Sequence, residues 1–365
     1  MKKNVIIFMP SIEDGGVEKN LYEVSNYLVK NNISLEIITC NKNMSFKFSK
    51  DIKFIGTKNS YWNNRSRYIK YIICLLILFL TLIKRKEKTL VFAFQANIYA
   101  VILAKILNVK IITRSNSAPP GWSQNAIKNF IYKFFIKFAN DVMVNSFEFK
   151  KIFEKKFNIK VKCIYNPFNK NFVLKKIKIK KKITFFKKGY LNIISVGRLT
   201  DQKDHLTLLR SIKELDSNFK VKVIIIGKGS TKDILKRYII KNNLQNKIKL
   251  FGYTNNPFPF IQKANIVVLT SKFEGLPNIL LEAQFLKKYI ISTNCPTGPK
   301  EILLNAKAGD LINIGDFKKL SHLIKNYSNN KNSIIKKINS GYNKFYRFDY
   351  MLNCKKYLNF IKNNY

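Results

Sequence analysis

The chain has 365 residues, 46% of them hydrophobic, and a formal net charge of +46, a size that fits two ordinary domains with sizeable cores. No collagen-like, Gln/Asn-rich or 20–50-residue repeat occurs, which excludes fibrous, low-complexity and solenoid classes. The cysteines at 40, 74, 163, 295 and 354 form no CxxC pair, which argues against a zinc site or disulfide framework and fits a reducing cytosol. The charge leaves three classes open: a solvated basic surface, a surface for anionic lipid, and a nucleic-acid binder. The last lacks a zinc pattern, an RNP-type motif or a basic helix with heptads. Lysine is abundant in every segment, so each arginine is more informative than each lysine.

The first elements read as a strand, Asn4–Met9, a loop over 10–16, a helix, Val17–Lys30, and a strand, Ser34–Thr39. VIIFM is too short for a signal-peptide core and is followed by acids. Leu21, Val24 and Leu28 recur at helical spacing, which predicts a helix packed on a sheet. In EDGGVEK, Gly15 and Gly16 stand between strand and helix, where a backbone can approach a phosphate. This is not GxGxxG, so a nicotinamide cofactor is poorly supported.

The segment YIKYIICLLILFLTLIKRKEK, residues 68–88, has an uncharged stretch of 13 residues, 71–83, where a membrane span needs about 20. Two readings remain: a buried core helix, or a helix lying in a membrane interface, with cations on both flanks. Strands are then predicted at Thr89–Phe94, Lys110–Thr113, Asp141–Asn145 and Lys162–Tyr165, with helices between. The lysine-rich 176–190 reads as a linker. Beyond it the alternation restarts: strands at Asn192–Val196, Lys222–Ile226, Ile248–Phe251, Ile266–Leu269 and Ile290–Thr293, with helices at Asp204–Leu215 and Thr231–Lys241. Strands alternating with helices predict an α/β fold of two Rossmann-like doubly wound domains facing across a cleft. The expected domains are 1–175 and 191–340, with a helix in 341–365 returning to the first.

SKFEGLPNILLEAQ, residues 271–284, carries two carboxylates at the edges of an apolar run, where an unpaired charge is costly. With Pro277 as first helical residue, Glu274 sits at the mouth of a helix and Glu282 about 7–8 Å further along its axis. The unpaired N–H groups of the first turn lie between them, a place for a phosphate. A sugar nucleotide fits this spacing: Glu274 accepts from sugar hydroxyls, Glu282 from the ribose, and the helix end holds the diphosphate. In SVGRLTDQKDH, Gly197 makes a close turn after a strand, and Arg198 and Lys203 suit a diphosphate leaving group. In VIIIGKGS, Gly227 and Gly229 let backbone approach a ligand.

These motifs, with KLFGYTNNPFPFIQKANIVVLTSKFEGLPNILLEA and STNCPTGPKEIL, stand in the order of the nucleotide-binding half of family-4 glycosyltransferases. Residues 191–316 resemble that half, and MPSIEDGGVEKNLYEVSNYL resembles the start of the family's acceptor domain. The resemblance implies a retaining enzyme of GT-B architecture that needs no metal or other cofactor, and no DxD motif argues otherwise. It implies that Arg198 and Lys203 steady the leaving nucleotide while Glu274 holds the transferred sugar and Glu282 the ribose. Asn278, Ile279 and Leu280 would offer backbone N–H groups, Gly16 would lie by the phosphates, and Tyr253 near the base. The leaving phosphate would help to deprotonate the acceptor. Many relatives carry a histidine in the first domain, whereas His205 and His322 both lie in the second half. Arg114 and Asn116, in TRSNSAPPGW, are the acceptor-side candidates in its place, and His205 reads as structural.

The expected reaction moves a sugar, from a UDP-N-acetylhexosamine, onto a lipid-linked or growing surface glycan. The expected location is the cytoplasmic face of the inner membrane, held peripherally by an anionic surface, with no nucleic acid as partner. The alternatives are a sugar-nucleotide epimerase of related fold, a basic nucleic-acid-binding protein, and a donor-binding protein without turnover.

Overall fold

The computed structural model describes residues 3–12, 15–40, 45–57, 62, 65–116, 125–179 and 181–365. Two compact units divide the chain, Met1–Pro167 with Tyr350–Tyr365, and Phe168–Asp349.

In the first unit the strands are β1 (Lys3–Phe8), β2 (Ile33–Ile38), β3 (Lys53–Ile55), β4 (Thr89–Ala93), β5 (Lys110–Arg114), β6 (Asp141–Val144) and β7 (Lys162–Cys163). They form one parallel sheet in the order β3-β2-β1-β4-β5-β6-β7. The helices are α1 (Gly16–Lys30), α2 (Arg67–Ile83), α3 (Asn97–Ile106), α4 (Ala126–Ile136) and α5 (Phe147–Phe157). Central strands carry unbroken apolar runs, VIIF in β1 and LVFA in β4, because helices cover both faces. Leu21, Val24 and Leu28 of α1 pack with Val5, Ile7 and Phe92 on one face. Cys74, Leu78 and Leu82 of α2 pack with Ile6, Phe8 and Val91 on the other.

Helix α2 satisfies one reading of residues 71–83 on its inner side only. Its outer stripe, with Ile72, Leu76, Leu80 and Ile83, is more than half exposed. Among the described residues no helix is long and apolar enough to cross a membrane.

The second unit holds α6 (Lys170–Ile177), β8 (Leu191–Val196), α7 (His205–Lys213), β9 (Val221–Ile226), α8 (Lys232–Lys241), β10 (Ile248–Gly252), α9 (Phe258–Lys263) and β11 (Ile266–Leu269). It continues with α10 (Asn278–Phe285), β12 (Tyr289–Thr293), α11 (Pro299–Ile302), β13 (Asp310–Ile312), α12 (Phe317–Lys325) and α13 (Lys331–Asn343). The parallel sheet runs β10-β9-β8-β11-β12-β13. Strand β8 pairs with β9 on one side and β11 on the other, so the winding reverses between β8 and β11.

Three expectations need correction. The lysine-rich stretch 176–190 lies inside the second unit rather than between the two. Its start continues α6, anchored by buried Val173 and by the Phe172 ring 6.1 Å from that of Phe258, and Ile183 is buried as well. The strands β3 and β13 were not anticipated. They are three-residue edge strands, KFI and DLI, too short to carry a period. The tail is also divided: Phe345 packs on Phe168 and Phe285 in the second unit, whereas α14 (Tyr350–Asn364) belongs to the first.

Cys354, Tyr357, Leu358, Phe360 and Ile361 of α14 share one core with β1, β4 and α1. Replacing fully buried Ile361 with Ala is therefore expected to cost about 2–5 kcal/mol, read as a lower urea midpoint. An unchanged midpoint would mean that the tail does not complete this core.

Candidate active site

Loops at the carboxyl ends of parallel strands collect where the winding reverses. In the second unit that point is shared by the segments after β8 and β11. The first, residues 197–204, carries Arg198 and Lys203. The second, residues 270–277, carries Glu274. The side chains of Lys203 and Glu274 are 15% and 8% exposed and form an ion pair through Nζ and Oε1. Ser271 Oγ donates to the same oxygen at 2.6 Å.

The surroundings fix the glutamate's backbone as well. Its N–H donates to the Pro296 carbonyl at 3.3 Å, and its own carbonyl accepts from Thr297 Oγ1. Gln202 Nε2 donates to the Phe273 carbonyl at 2.9 Å, and Lys272 N–H donates to that of Gln202 at 2.8 Å. Thr270 Oγ1 donates to the Lys203 carbonyl and Thr293 Oγ1 to that of Ser271. The two loops are thus stitched by side chain and backbone together. Sequence reading did not find Ser271, Thr293 or Thr297, because single hydroxyl residues carry no pattern.

Glycines permit the close approaches. A Cβ on Gly227 would stand 1.9 Å from the Gly197 carbonyl oxygen, so only glycine lets the turn after β9 meet the turn after β8. At Gly298, φ is 84° and a Cβ would stand 2.3 Å from the Gly275 carbonyl oxygen. The segment after β12 therefore closes over the Glu274 loop.

Helix α10 begins one residue later than expected. Pro277 has extended backbone (φ −69°, ψ 109°) and precedes the helix, and Asn278 is its first residue. The N-cap Pro277 makes no side-chain capping bond, and Ile279 and Leu280 of the first turn are buried. Glu282, about one turn into α10 from Asn278, is also buried. Arg198 is exposed, its guanidinium donating to Gln202 Oε1 at 3.4 Å. Tyr253 lies beyond β10, 45% exposed, with Lys228 Nζ 5.1 Å from its ring centre.

His205 opens α7 and is buried, with Nδ1 3.3 Å from Ser195 Oγ. Burial, helped by the nearby Lys203 charge, pushes it down to about 4, so it is neutral at pH 7. Cys295 is pushed up to about 12 by burial and by the Glu274 carboxylate. A histidine so depressed is only a weak base and Cys295 stays a thiol rather than a thiolate, so neither is tuned for catalysis near neutral pH.

In the first unit the winding reverses between β1 and β4. Ser11 N–H, after β1, donates to Gln95 Oε1, after β4, at 3.1 Å. Gly15 precedes α1 as its uncapped N-cap and Gly16 is its first residue, both exposed. Residues 13–14 of that loop, and 117–124 of TRSNSAPPGW, lie outside the described residues. Arg114 is fully buried at the end of β5, donating to Asn166 Oδ1 at 2.8 Å and lying 5.2 Å from the Phe94 ring centre. Asn116 Nδ2 donates to the Phe94 carbonyl at 2.8 Å. Among the described residues no group of three His, Cys, Asp or Glu converges as a metal site.

Two parallel Rossmann-like units of this kind define the GT-B class. The chain is similar in fold over 99% of its length to an Anabaena protein, HepE, solved in complex with UDP-glucose (99% of that chain, 16% identity, TM-score 0.80). Residues 176–344, most of the second unit, match the model of "Glycosyl transferases group 1", the part of the chain whose motifs resemble family 4 of the glycosyltransferases. An uncharacterized glycosyltransferase of Methanocaldococcus jannaschii is 39% identical over 178 residues, 47% of this chain and 44% of that protein's own length. A Campylobacter jejuni protein is 25% identical over 339 residues, 84% of this chain and 85% of the relative. It is named N-acetylgalactosamine-N,N'-diacetylbacillosaminyl-diphospho-undecaprenol 4-alpha-N-acetylgalactosaminyltransferase.

The depressed His205 has a consequence for stability. Its folded value lies below the unfolded 6.5, so its contribution is present above about pH 6.5 and is lost as pH falls through about 4. His205→Asn is expected to flatten the loss of urea midpoint between pH 6.5 and 4 relative to the parent chain. Parallel curves for the two proteins would contradict this.

Proposed function

We propose that the chain is a retaining glycosyltransferase that moves a sugar from a nucleoside diphosphate sugar onto a lipid-linked or growing surface glycan. The observation that carries this reading is the buried Lys203–Glu274 pair at the winding reversal of the second sheet. A carboxylate held against an ammonium at that point can accept sugar hydroxyls while the ammonium meets the diphosphate.

In this reading Glu274 grips the transferred sugar. Among the described residues its bonds to Lys203 and Ser271 both end on Oε1, and Oε2 takes a sugar hydroxyl. Arg198 and Lys203 stabilise the charge that grows on the leaving diphosphate. The first-turn N–H groups of Asn278, Ile279 and Leu280 hold phosphate oxygens. Glu282 binds the ribose and Tyr253 lies by the base. Gly197 and Gly227 keep the nearby turns narrow. Gly15 and Gly16 offer backbone N–H groups at the start of α1, and Arg114 and Asn116 serve the acceptor side. Neutral His205 is a core residue that holds the β8 turn, and the leaving phosphate assists deprotonation of the acceptor.

The donor is a UDP-N-acetylhexosamine and the acceptor is linked to a polyprenyl diphosphate. Both rest on the printed activity of the Campylobacter relative, an N-acetylgalactosaminyltransferase acting on a diphospho-undecaprenol. The protein works peripherally on the cytoplasmic face of the membrane, supported by the net charge of +46 and the exposed outer stripe of α2.

A thermal-shift panel of nucleotide sugars tests the donor, because a ligand that binds only the folded form raises its melting temperature. UDP-N-acetylhexosamines are expected to give the largest shifts. A protein that shifts random DNA in a salt-dependent way and ignores every nucleotide sugar would be the nucleic-acid binder instead. Glu274→Gln is expected to lose most turnover with UDP binding nearly intact. Arg198→Ala is expected to lose about 10²-fold in turnover, whereas Lys236→Ala, on α8, changes little. Equal losses in Arg198→Ala and Lys236→Ala would make the effect generic charge.

A further inference from the structure

Helix α4 is amphipathic in the wrong direction for a helix that serves only its own core. Ile127, Phe130, Ile131, Phe134 and Phe138 recur at the spacing of one helical face, and each is 41–70% exposed. The inward side is thinner: Ile136 is buried, and the Tyr132 ring packs 4.9 Å from that of Phe157. At about 100° per residue, Lys128 stands on one border of the outer stripe and Lys133 and Lys137 on the other.

The stripe has neighbours. Helices α2, α3 and α4 cover the same face of the sheet, with α3 against both of the others. The Tyr71 ring of α2 lies 6.4 Å from Tyr99 of α3. Lys105 Nζ of α3 lies 5.8 Å from the ring of Phe138, just beyond α4. Ile106 of α3 is 73% exposed. The outer stripe of α2 thus continues across α3 onto α4. Contiguous exposed apolar surface on this scale marks an interaction site.

Charge selects the occupant. No Asp or Glu occurs in residues 65–83, 97–106 or 125–138, and six cations there are exposed: Arg65, Arg67, Lys105, Lys128, Lys133 and Lys137. A second copy of this chain docking symmetrically on the same face would set those cations against themselves. An anionic bilayer satisfies both features, taking the apolar stripes into the acyl boundary and the lysines at the headgroups.

We propose that α4 is a second membrane-docking element and that α2, α3 and α4 together form one bilayer-facing surface, with Phe130 and Phe134 inserted into the leaflet. The inference rests on the peripheral location proposed above and assigns it to a face three helices wide rather than to α2 alone.

The test is flotation of the full chain with vesicles of phosphatidylcholine containing about 30% phosphatidylglycerol, against phosphatidylcholine alone. Phe130→Ser/Phe134→Ser is expected to lower partitioning onto the anionic vesicles at least about tenfold, equivalent to about 1.4 kcal/mol. UDP binding by the second unit is expected to persist. Lys128→Glu/Lys133→Glu keeps the apolar stripe and is expected to give a similar loss on anionic vesicles. It stands as the arm that remains if the serine variant fails to melt like the parent. Leu76→Ser/Phe79→Ser reports on α2. If both α4 variants float like the parent while the α2 variant does not, this inference is overturned and the peripheral location stands. A parent chain that stays with neither vesicle overturns both, leaving the donor site to be judged by nucleotide binding. Equal parent binding to neutral and anionic vesicles, or a concentration-dependent dimer that the serine variant abolishes, overturns the anionic bilayer as occupant.

Discussion

Lys203 and Glu274 meet because β8 and β11 are neighbours in the second sheet, although 71 residues separate them in sequence. Desolvating two charges costs several kcal/mol per ion, and their attraction repays this only with good geometry and further hydrogen bonds. The structure supplies those bonds from Ser271 to the carboxylate and from Thr270, Thr297 and Gln202 to the flanking backbone. Hydrophobic residues of similar volume would serve stability at least as well. A buried pair at a winding reversal is therefore not needed for packing, in keeping with the donor-binding role proposed for it. The glycines follow from the same constraint, since Gly227 and Gly298 let neighbouring turns close on the pair without a side chain in the way.

The two units divide the physical work. The second unit concentrates buried polar groups at one end of its sheet. The first has most of its large exposed apolar residues on one helical layer, free of acids along α2, α3 and α4. In the proposed reading the polar end of the second unit takes a nucleotide sugar and the helical layer of the first an anionic bilayer, and docking in that plane would keep the enzyme and a bilayer-anchored acceptor together. The fully buried Arg114 belongs to the first unit's polar end, held by Asn166 and the Phe94 face.

Much of this was legible in the sequence, for reasons that differ by element. The central strands β1, β4, β8, β9 and β11 are continuous apolar runs bounded by glycine, proline or polar residues, so their identity and order could be read. The edge strands β3 and β13 could not, because three residues with one neighbouring strand carry no period. The two glutamates stood out because a charge in an apolar setting needs a partner, and Arg198 and Lys203 because a strand-to-helix loop is where cations meet a diphosphate. That Lys203 is Glu274's partner was not readable, since it depends on sheet order. The hydroxyl residues that hold the pair were invisible for the same reason. Helix α2 was ambiguous because it is apolar all round; its inner side is core and its outer stripe is exposed. Residues 176–190 looked like a linker from their lysines, yet Val173 and Ile183, on either side of the stretch's start, are buried in the second unit.

The central claim is that the loops around Lys203 and Glu274 bind the donor. Amide hydrogen exchange with and without a saturating UDP-sugar tests it most directly, because bound ligand suppresses the local opening that exchange requires. The account predicts protection of residues 197–204, 270–282 and 295–299, with the outer helices α8 and α12 unchanged. Protection that spares those three segments, or that spreads evenly over the lysine-rich surface, would contradict it.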